Sequence, residues 1–292
     1  MIDAAILAAI EARIVAATAE PPVRRRRFEA AGMALGVVDD ARAARLAQFD
    51  CFDVTPDAVV LDPRLVTPDA RSAAIADVAA TLYREGALPG WRDELYAVGP
   101  GFDAPAQFLI ERGAARYFGV RTYAAHVNGL VHEGGETRMW IARRSAHKAV
   151  DPDLLDNLVG GGIAAGMRVD ETVAKEAWEE AGIDEATARR ARPAGIVHAI
   201  RPMLDGLQRE TLFVHDLALS PAFLPSNQDG EAVDHRLVSL DEAASIAASG
   251  RGRDEATLDA SLVIVDCLVR RGALRPDLPR YATLVRLLRA GM

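Results

Sequence analysis

The chain has 292 residues, of which 50% are apolar and 26% charged, and its net charge is -8. This length fits one large domain or two modest ones. The acidic balance argues against nonspecific nucleic-acid binding, which needs clustered lysine and arginine. No stretch approaches the roughly 18 uninterrupted apolar residues of a membrane span, so we expect neither nucleic acid nor membrane as a partner.

The N-terminal residues form an apolar run that Asp3, Glu11 and Arg13 interrupt. A secretory signal begins with basic residues, so we interpret this run as an amphipathic helix. The two cysteines, Cys51 and Cys267, form no CxxC pair, which argues against structural zinc and against a disulfide framework. We therefore predict a cytoplasmic protein with reduced cysteines.

From residue 30 to about residue 100 the sequence alternates between helical and strand-like patterns. We predict helices in ARAARLAQF and RSAAIADVAATLYREGAL, and strands in DAVVLDP and WRDELYAV. The segment APAQFLIERGAARYFG is predicted to be another helix, which ends at Gly119. The basic run RRRRF is interpreted as a solvated loop edge, with contact to an anionic ligand or to another domain as the alternative. Residues 1–119 are thus predicted to form a small α+β domain.

The pattern changes after Gly119. VRTYAAHVNGLVHE and TRMWIARRS are predicted strands joined by a GGE turn, and AGIVHAIRPM, ETLFVHDLAL and HRLVSL are further strands. DEAASIAAS and DEATLDASLVIVDCLVRRG are predicted helices, and Gly272 stops the second one. A mixed sheet with helices on both faces is the simplest way to bury these elements. We predict an α/β domain over residues 120–292.

The stretch GGGIAAGMRVDETVAKEAWEEAGI, residues 160–183, combines a glycine run with a helix that we expect to start near an Asp170 N-cap. Glu176, Glu179 and Glu180 then share one helix face. Like charges at this spacing destabilise a helix by about 0.2–0.5 kcal/mol per pair. Either the glutamates coat a solvated surface, or a cation lies among them. The six histidines lack metal-binding spacing, so such a cation would be a hard one, Mg²⁺ or Mn²⁺.

This stretch resembles the Nudix box, G-x5-E-x7-R-E-U-x-E-E-x-G-U, where U is aliphatic. Gly161 matches the first glycine, and the three glutamates fall on the later acidic positions. Met167 replaces the first glutamate of the pattern, and Lys175 replaces its arginine. The resemblance implies an α/β/α sandwich in which the metal ligands are as follows: Glu176, Glu179 and Glu180.

The flanking segments YAAHVNGLV, ETLFVHDLAL and NQDGEAVDHRLVSLDE resemble a two-domain Nudix branch, in which an uncharacterised domain precedes the Nudix domain. This branch includes the region attached to thiamine pyrophosphokinase in some fungi and a plant chloroplast relative. The resemblance implies hydrolysis of thiamine diphosphate analogues, particularly damaged oxo and oxy forms, to monophosphates. A nucleoside diphosphate derivative, such as a nucleotide sugar or a dinucleotide, is the alternative substrate. A third hypothesis is a Nudix module that binds a diphosphate ligand without cleaving it.

Hydrolysis of a small diphosphate substrate would need carboxylates near the metal ion and cations near the phosphates, and the sequence offers candidates for both. The candidate catalytic carboxylates are Glu179, Glu180 and Glu231. Glu231 follows a DG turn, and the alternative is that it is a solvated loop residue. Arg143, Arg144 and Lys148 are the cationic candidates, and the alternative for each is ordinary surface charge. The role of the N-terminal domain stays open between a cap, substrate contacts through Trp91 or Arg92, and a homodimer interface. The predicted substrate-binding residues are Arg143, Arg144, Lys148, Gly161, Gly162 and Asn128.

Overall fold

The computed structural model describes residues 2–18, 23–148 and 150–289. No helix in these ranges has the length and apolar character needed to cross a membrane. The helices are α1 (Ala4–Thr18), α2 (Asp40–Leu46), α3 (Pro68–Arg84), α4 (Val169–Ala181), α5 (Glu185–Ala188), α6 (Leu240–Ala248), α7 (Leu258–Arg270) and α8 (Tyr281–Leu288). The strands are β1 (Arg25–Ala30), β2 (Met33–Asp39), β3 (Phe52–Val54), β4 (Ala58–Leu61), β5 (Leu95–Val98), β6 (Phe108–Glu111), β7 (Arg121–Glu133), β8 (Glu136–Arg144), β9 (Leu155–Asn157), β10 (Val159–Gly162), β11 (Arg192–Met203), β12 (Gly206–Leu219) and β13 (Ala232–Ser239).

The N-terminal part contains a sheet in the order β2-β1-β4-β3 and a separate hairpin of β5 and β6. The basic run lies mainly in β1, so its interpretation as a loop edge was wrong. Phe28 is fully buried on this strand, and its ring packs against Phe118 with the centroids 5.0 Å apart. The arginines are neutralised locally, because Arg26 pairs with Asp40 at 3.0 Å.

The predicted helix before Gly119 is also wrong, since its central residues form β6. Phe108 and Ile110 are buried with the half-buried Leu109 between them, as expected for alternate residues on one face of a strand. β6 pairs antiparallel with β5, and the backbone N–H of Leu109 donates to the Ser72 hydroxyl on α3. A 3₁₀ turn follows over Arg112–Ala114.

The second part is built on a mixed sheet in the order β11-β12-β7-β8-β13, with β10 paired to β7 and β9 paired to β8. Successive residues of β7 face opposite sides: Ala125 and Val127 pack in the core that includes α4, whereas Ala124 packs in the core that includes α6 and α7. The predicted α/β sandwich with a mixed sheet is therefore confirmed.

Helix α1 lies on the α7 side of this second sheet. Ile10 and Ile14 are buried in the same hydrophobic cluster as Ile264 of α7. The first helix of the chain thus contributes to the core of the second part, while β1 to β6 have a core of their own. The division of the chain near Gly119 stays a prediction.

Candidate active site

The glutamate helix α4 begins at Val169, with Arg168 as its N-cap residue. The backbone N–H of Arg168 donates to the Glu171 carboxylate at 2.9 Å. The N-cap was predicted at Asp170 but lies two residues earlier, at Arg168. The Asp170 carboxylate pairs with the Arg168 guanidinium at 2.8 Å. The helix ends at Gly182, whose left-handed conformation (φ 64°) suits a residue without a side chain.

Strand β10 lies directly against α4, and its glycines make the contact possible. The Gly160 N–H donates to Oε2 of Glu180 at 2.8 Å. A Cβ at Gly161 would collide with the side chain of Glu176. The side chains of Glu176 and Glu180 are only 14% and 9% exposed. The glycine run therefore lets two carboxylates lie buried against the backbone.

Two lysines pair with glutamates of this cluster in the structure. Lys175 Nζ lies 3.0 Å from Glu176 and 2.7 Å from Glu179. Lys148 Nζ is paired with Glu231 and lies 3.8 Å from Oε1 of Glu180. Within the described ranges, no three His, Cys, Asp or Glu side chains are grouped so as to hold a metal ion.

The electrostatics of the buried glutamates show a shortage of positive charge. Burial raises the pKa of Glu180 to about 8 and also raises the pKa of Glu176 above its ordinary value. Burial lowers the pKa of Lys148, which weakens the positive charge that Lys148 can offer to Glu180. Carboxylate oxygens are the ligands that hard divalent cations prefer. The carboxylates suit such a cation by donor chemistry, although the lysines occupy them in the present arrangement, and the charge of the cation would favour their ionised form.

A cavity of about 200 Å³ opens beside this cluster, between the two parts of the chain. Residues 160–162 of β10 form one side of it. Lys148 and Glu231 also line the cavity, which places the pair next to Glu180 at its edge. The residues that the N-terminal part contributes to the wall include Arg92, Tyr96 and Arg112.

Four of the predicted substrate-binding residues line this cavity: Arg144, Lys148, Gly161 and Gly162. Arg144 is tied down, because its guanidinium donates to Asp156 at 2.8 Å and to the carbonyl of Asp151 at 3.1 Å. Lys148 has the more adaptable position, since its cationic group is held only by carboxylates.

The structure places the other two predicted residues outside the cavity, which corrects the prediction. The Arg143 guanidinium donates to the carbonyls of Asp153 and Arg253 at 2.7 and 2.9 Å. Neighbouring residues of a strand face opposite sides, so Arg143 cannot share the direction of Arg144. Asn128 is fully buried and donates to Asp216 at 3.1 Å.

A group of polar residues at the cavity, of which Glu210 is central, was not predicted from the sequence. Its carboxylate accepts hydrogen bonds from Thr122 at 3.1 Å and Gln208 at 2.8 Å. Gln208 also donates to Asp259 at 3.2 Å. Burial, followed by the negative charge of Asp259, raises the pKa of Glu210. Gln208 and Glu210 are alternate residues in the polar QRET segment of β12, so they share one face of the strand, and that spacing was the available signal.

Comparison with known protein families finds matches over most of the chain. Residues 11–122 match the profile of a domain of unknown function (DUF4743), and residues 122–259 match the NUDIX domain.

Three relatives share both parts of the chain. It is 43% identical over 233 residues to Nudix hydrolase 24, chloroplastic, of Arabidopsis thaliana, with 80% of this chain and 63% of that protein covered. Nudix hydrolase 20, chloroplastic, of the same plant is 39% identical over 239 residues, with 82% and 63% covered. An uncharacterized protein of Saccharomyces cerevisiae is 32% identical over 235 residues, with 74% and 67% covered. The chain therefore spans less than two thirds of the length of the two plant proteins.

Proposed function

Because the chain belongs to the Nudix hydrolase family, with a DUF4743 domain before its Nudix domain, we propose that it hydrolyses a diphosphate linkage in a small molecule. One observation carries the proposal: helix α4 presses Glu176 and Glu180 onto the glycine strand at the edge of the cavity. The burial of these carboxylates beside an open cavity supports a catalytic role better than a solvated acidic surface.

The proposed metal ligands are the carboxylates of Glu176, Glu179 and Glu180, with Mg²⁺ or Mn²⁺ as the cation. When bound, the ion would neutralise the charge that develops on the phosphate oxygens and acidify a water molecule. Lys148 and Lys175, which lie beside these glutamates in the structure, would then turn to other groups. Lys175 is half exposed, so it can turn toward solvent at little cost.

The residues of the chain itself bind the substrate and move the proton. The backbone N–H of Gly160 fixes Oε2 of Glu180, so this carboxylate keeps its direction during the reaction. Glu231 is 42% exposed at the cavity and is assigned as the base that takes a proton from the attacking water. Lys148 lies between Glu180 and Glu231. It is suited to bind a phosphate oxygen when Glu231 interacts with the attacking water and no longer with Lys148.

For the organic part of the substrate, the first candidate is a thiamine diphosphate-like compound, and a nucleotide sugar or a dinucleotide is the second. Glu210 and Asp259 line the cavity, and their carboxyl oxygens can accept hydrogen bonds. Such a wall favours a substrate whose organic part carries hydrogen-bond donors or a positive charge, as an aminopyrimidine-thiazolium compound does. A cytoplasmic location and a homodimer stay predictions, and the two plant relatives are named as chloroplastic proteins.

A hydrolysis screen at matched concentrations tests the function. We expect Mg²⁺-dependent release of monophosphate from thiamine diphosphate or oxythiamine diphosphate in preference to ADP-ribose, a nucleotide sugar and a dinucleotide. Addition of a chelator should abolish turnover, and restoring Mg²⁺ should recover it. Glu179→Gln protein serves as the blank, because it loses one proposed ligand on the partly exposed side of α4.

The screen separates the three hypotheses. Preference for a nucleotide compound would retain diphosphate hydrolysis but refute the thiamine-type substrate. If no compound is cleaved, while wild-type and Glu179→Gln proteins bind a diphosphate ligand equally well, the chain is a binding module and the proposed hydrolysis is wrong.

A further inference from the structure

The hairpin of β5 and β6, which belongs to the N-terminal part, lies against the glycine strand of the Nudix domain. The Ala165 N–H donates to the carbonyl of Leu95 at 2.7 Å, three residues beyond β10. A Cβ at Gly162 would collide with the Tyr96 hydroxyl on the same strand, so the glycine permits close contact. The two domains therefore meet at the segment that leads into the glutamate helix.

The open end of this hairpin delivers two arginines to the cavity. Leu95 pairs with Glu111 at that end, so the residues just before β5 and just after β6 lie close together. Arg92 and Arg112 occupy those positions, and both line the cavity. The buried Glu111 carboxylate accepts from the N–H groups of Arg92 and Gly113 at 2.8 and 3.2 Å, which fixes both flanking segments.

The guanidinium groups of Arg92 and Arg112 keep more donors available for a ligand than that of Arg144 in the Nudix domain. Within the part of the chain that the structure describes, the Arg92 guanidinium has no ion-pair partner, whereas Arg144 is bound to Asp156. Arg112 pairs with Glu94 at 2.7 Å and lies 5.6 Å from the centre of the Tyr96 ring, yet its side chain is 43% exposed. A guanidinium that keeps donors available beside a cavity is suited to bind phosphate oxygens.

We propose that the N-terminal domain completes the substrate site, with Arg92 and Arg112 as residues that bind the diphosphate group. This rests on the proposed diphosphate chemistry of the cavity. The DUF4743 domain is then a part of the binding site, and its docking against β10 is what brings the two arginines to the substrate.

Binding of inorganic diphosphate to the full chain, measured by calorimetry, tests the proposal. Arg92→Gln and Arg112→Gln should each raise the Kd about 10-fold, the loss of one charge-assisted hydrogen bond. Arg84→Gln is the matched control, because Arg84 is an exposed arginine of the same domain that does not line the cavity. Its Kd should equal that of the wild-type protein.

A second variant separates binding from a structural role of the ion pair. Glu94→Gln removes the partner of Arg112 and retains the arginine, so its Kd for diphosphate should be unchanged or lower. An increase equal to that of Arg112→Gln would show that the ion pair, not the arginine, matters, and would overturn the assignment of Arg112. Arg92→Gln binding as tightly as Arg84→Gln would overturn the assignment of Arg92.

Hydrolysis assays on the same variants distinguish this inference from the proposed function. If the wild-type chain cleaves a diphosphate and the two arginine variants raise KM with little change in kcat, both are supported. Cleavage with KM unchanged in both variants refutes the inference and leaves the function. Arginine-dependent diphosphate binding without cleavage of any substrate refutes the hydrolysis and leaves the inference.

Discussion

Strand β12 carries two carboxylates on the same face, and their surroundings are opposite in charge. Glu210 lies across from Thr122 on β7, and Asp216 lies across from Asn128. The Arg270 guanidinium makes two hydrogen bonds to Asp216, at 2.6 and 3.0 Å. Burial disfavours ionisation of Asp216, but the bonds from Arg270 hold its pKa below the ordinary value. Burial, followed by the nearby Asp259, raises the pKa of Glu210, and its neutral hydrogen-bond donors offset this only in part.

The difference separates a structural cluster, formed by Asp216, Arg270 and Arg271, from a site that is prepared for a ligand. At the Asp216 end, arginines of α7 supply the positive charge from within the fold. At the Glu210 end, the carboxylates face a cavity and are short of positive charge, as Glu180 is. A buried charge that the protein does not balance raises the free energy of the folded state, and a bound cation or donor group can offset that cost.

The largest expected effect comes from breaking the structural cluster. Arg270→Gln should lower the free energy of unfolding by about 3 kcal/mol, because Asp216 loses its main partner and the fully buried Asp266 keeps only Arg289 of its two arginine partners. Urea denaturation measures this. Arg271→Gln is the matched control, since Arg271 makes a single 3.1 Å bond to Asp216, and it should cost much less. The comparison fails if both variants lose the same stability or if Arg270→Gln alters KM.

At the site, substitution should affect the rate rather than the stability. Glu180→Gln should lower kcat on the order of 10²–10³-fold, because a neutral amide is a poor metal ligand and cannot balance the cation. The amide oxygen can still accept from the Gly160 N–H, and the amide never has to be buried in an ionised form, so thermal stability should not fall. Glu185→Gln, on an exposed carboxylate, should match wild type. Loss of both activity and stability would indicate a structural role for Glu180.

The smallest effect concerns pH. The pKa of Glu210 is raised in the folded state, so the folded protein holds a proton that the unfolded chain has lost once the pH exceeds about 4.5. Wild-type stability therefore decreases, relative to Glu210→Gln, as the pH rises through the window above 4.5. The variant should be the more stable protein at pH 7.5 and equal to wild type near pH 4.

Asp216→Asn provides the control of opposite sign. The pKa of Asp216 is lowered, so its stabilisation is present above about 3.8, the ordinary value, and is lost as the pH falls through the folded value. This variant should be less stable than wild type at pH 7.5. Urea midpoints of the two variants that shift in the same direction at pH 7.5 would refute the contrast between the two ends of β12.

The predictions that succeeded depend on local pattern. The glutamate helix and the long strands β7, β8, β11 and β12 have periodicities that a single segment displays by itself. The failures fell where pairing partners decided the outcome. Phe108 and Ile110 suit a short helix as well as a strand, and only pairing with β5 selects the strand. Arg143 and Arg144 are equally plausible phosphate ligands until the face of β8 is known.

The sequence by itself determined the Nudix box: the glycine run, the helix and its three glutamates lie within 24 residues, and their spacing is set by helix geometry. Only the tertiary structure decided which other charges join them. Arg92, Arg112, Lys148 and Glu210 reach one cavity because the β5–β6 hairpin docks on β10 and β12 pairs with β7. Burial then shifts the pKa values of Lys148 and Glu210, since the free energy of a charge depends on the neighbours that replace water, and those neighbours are distant in the chain.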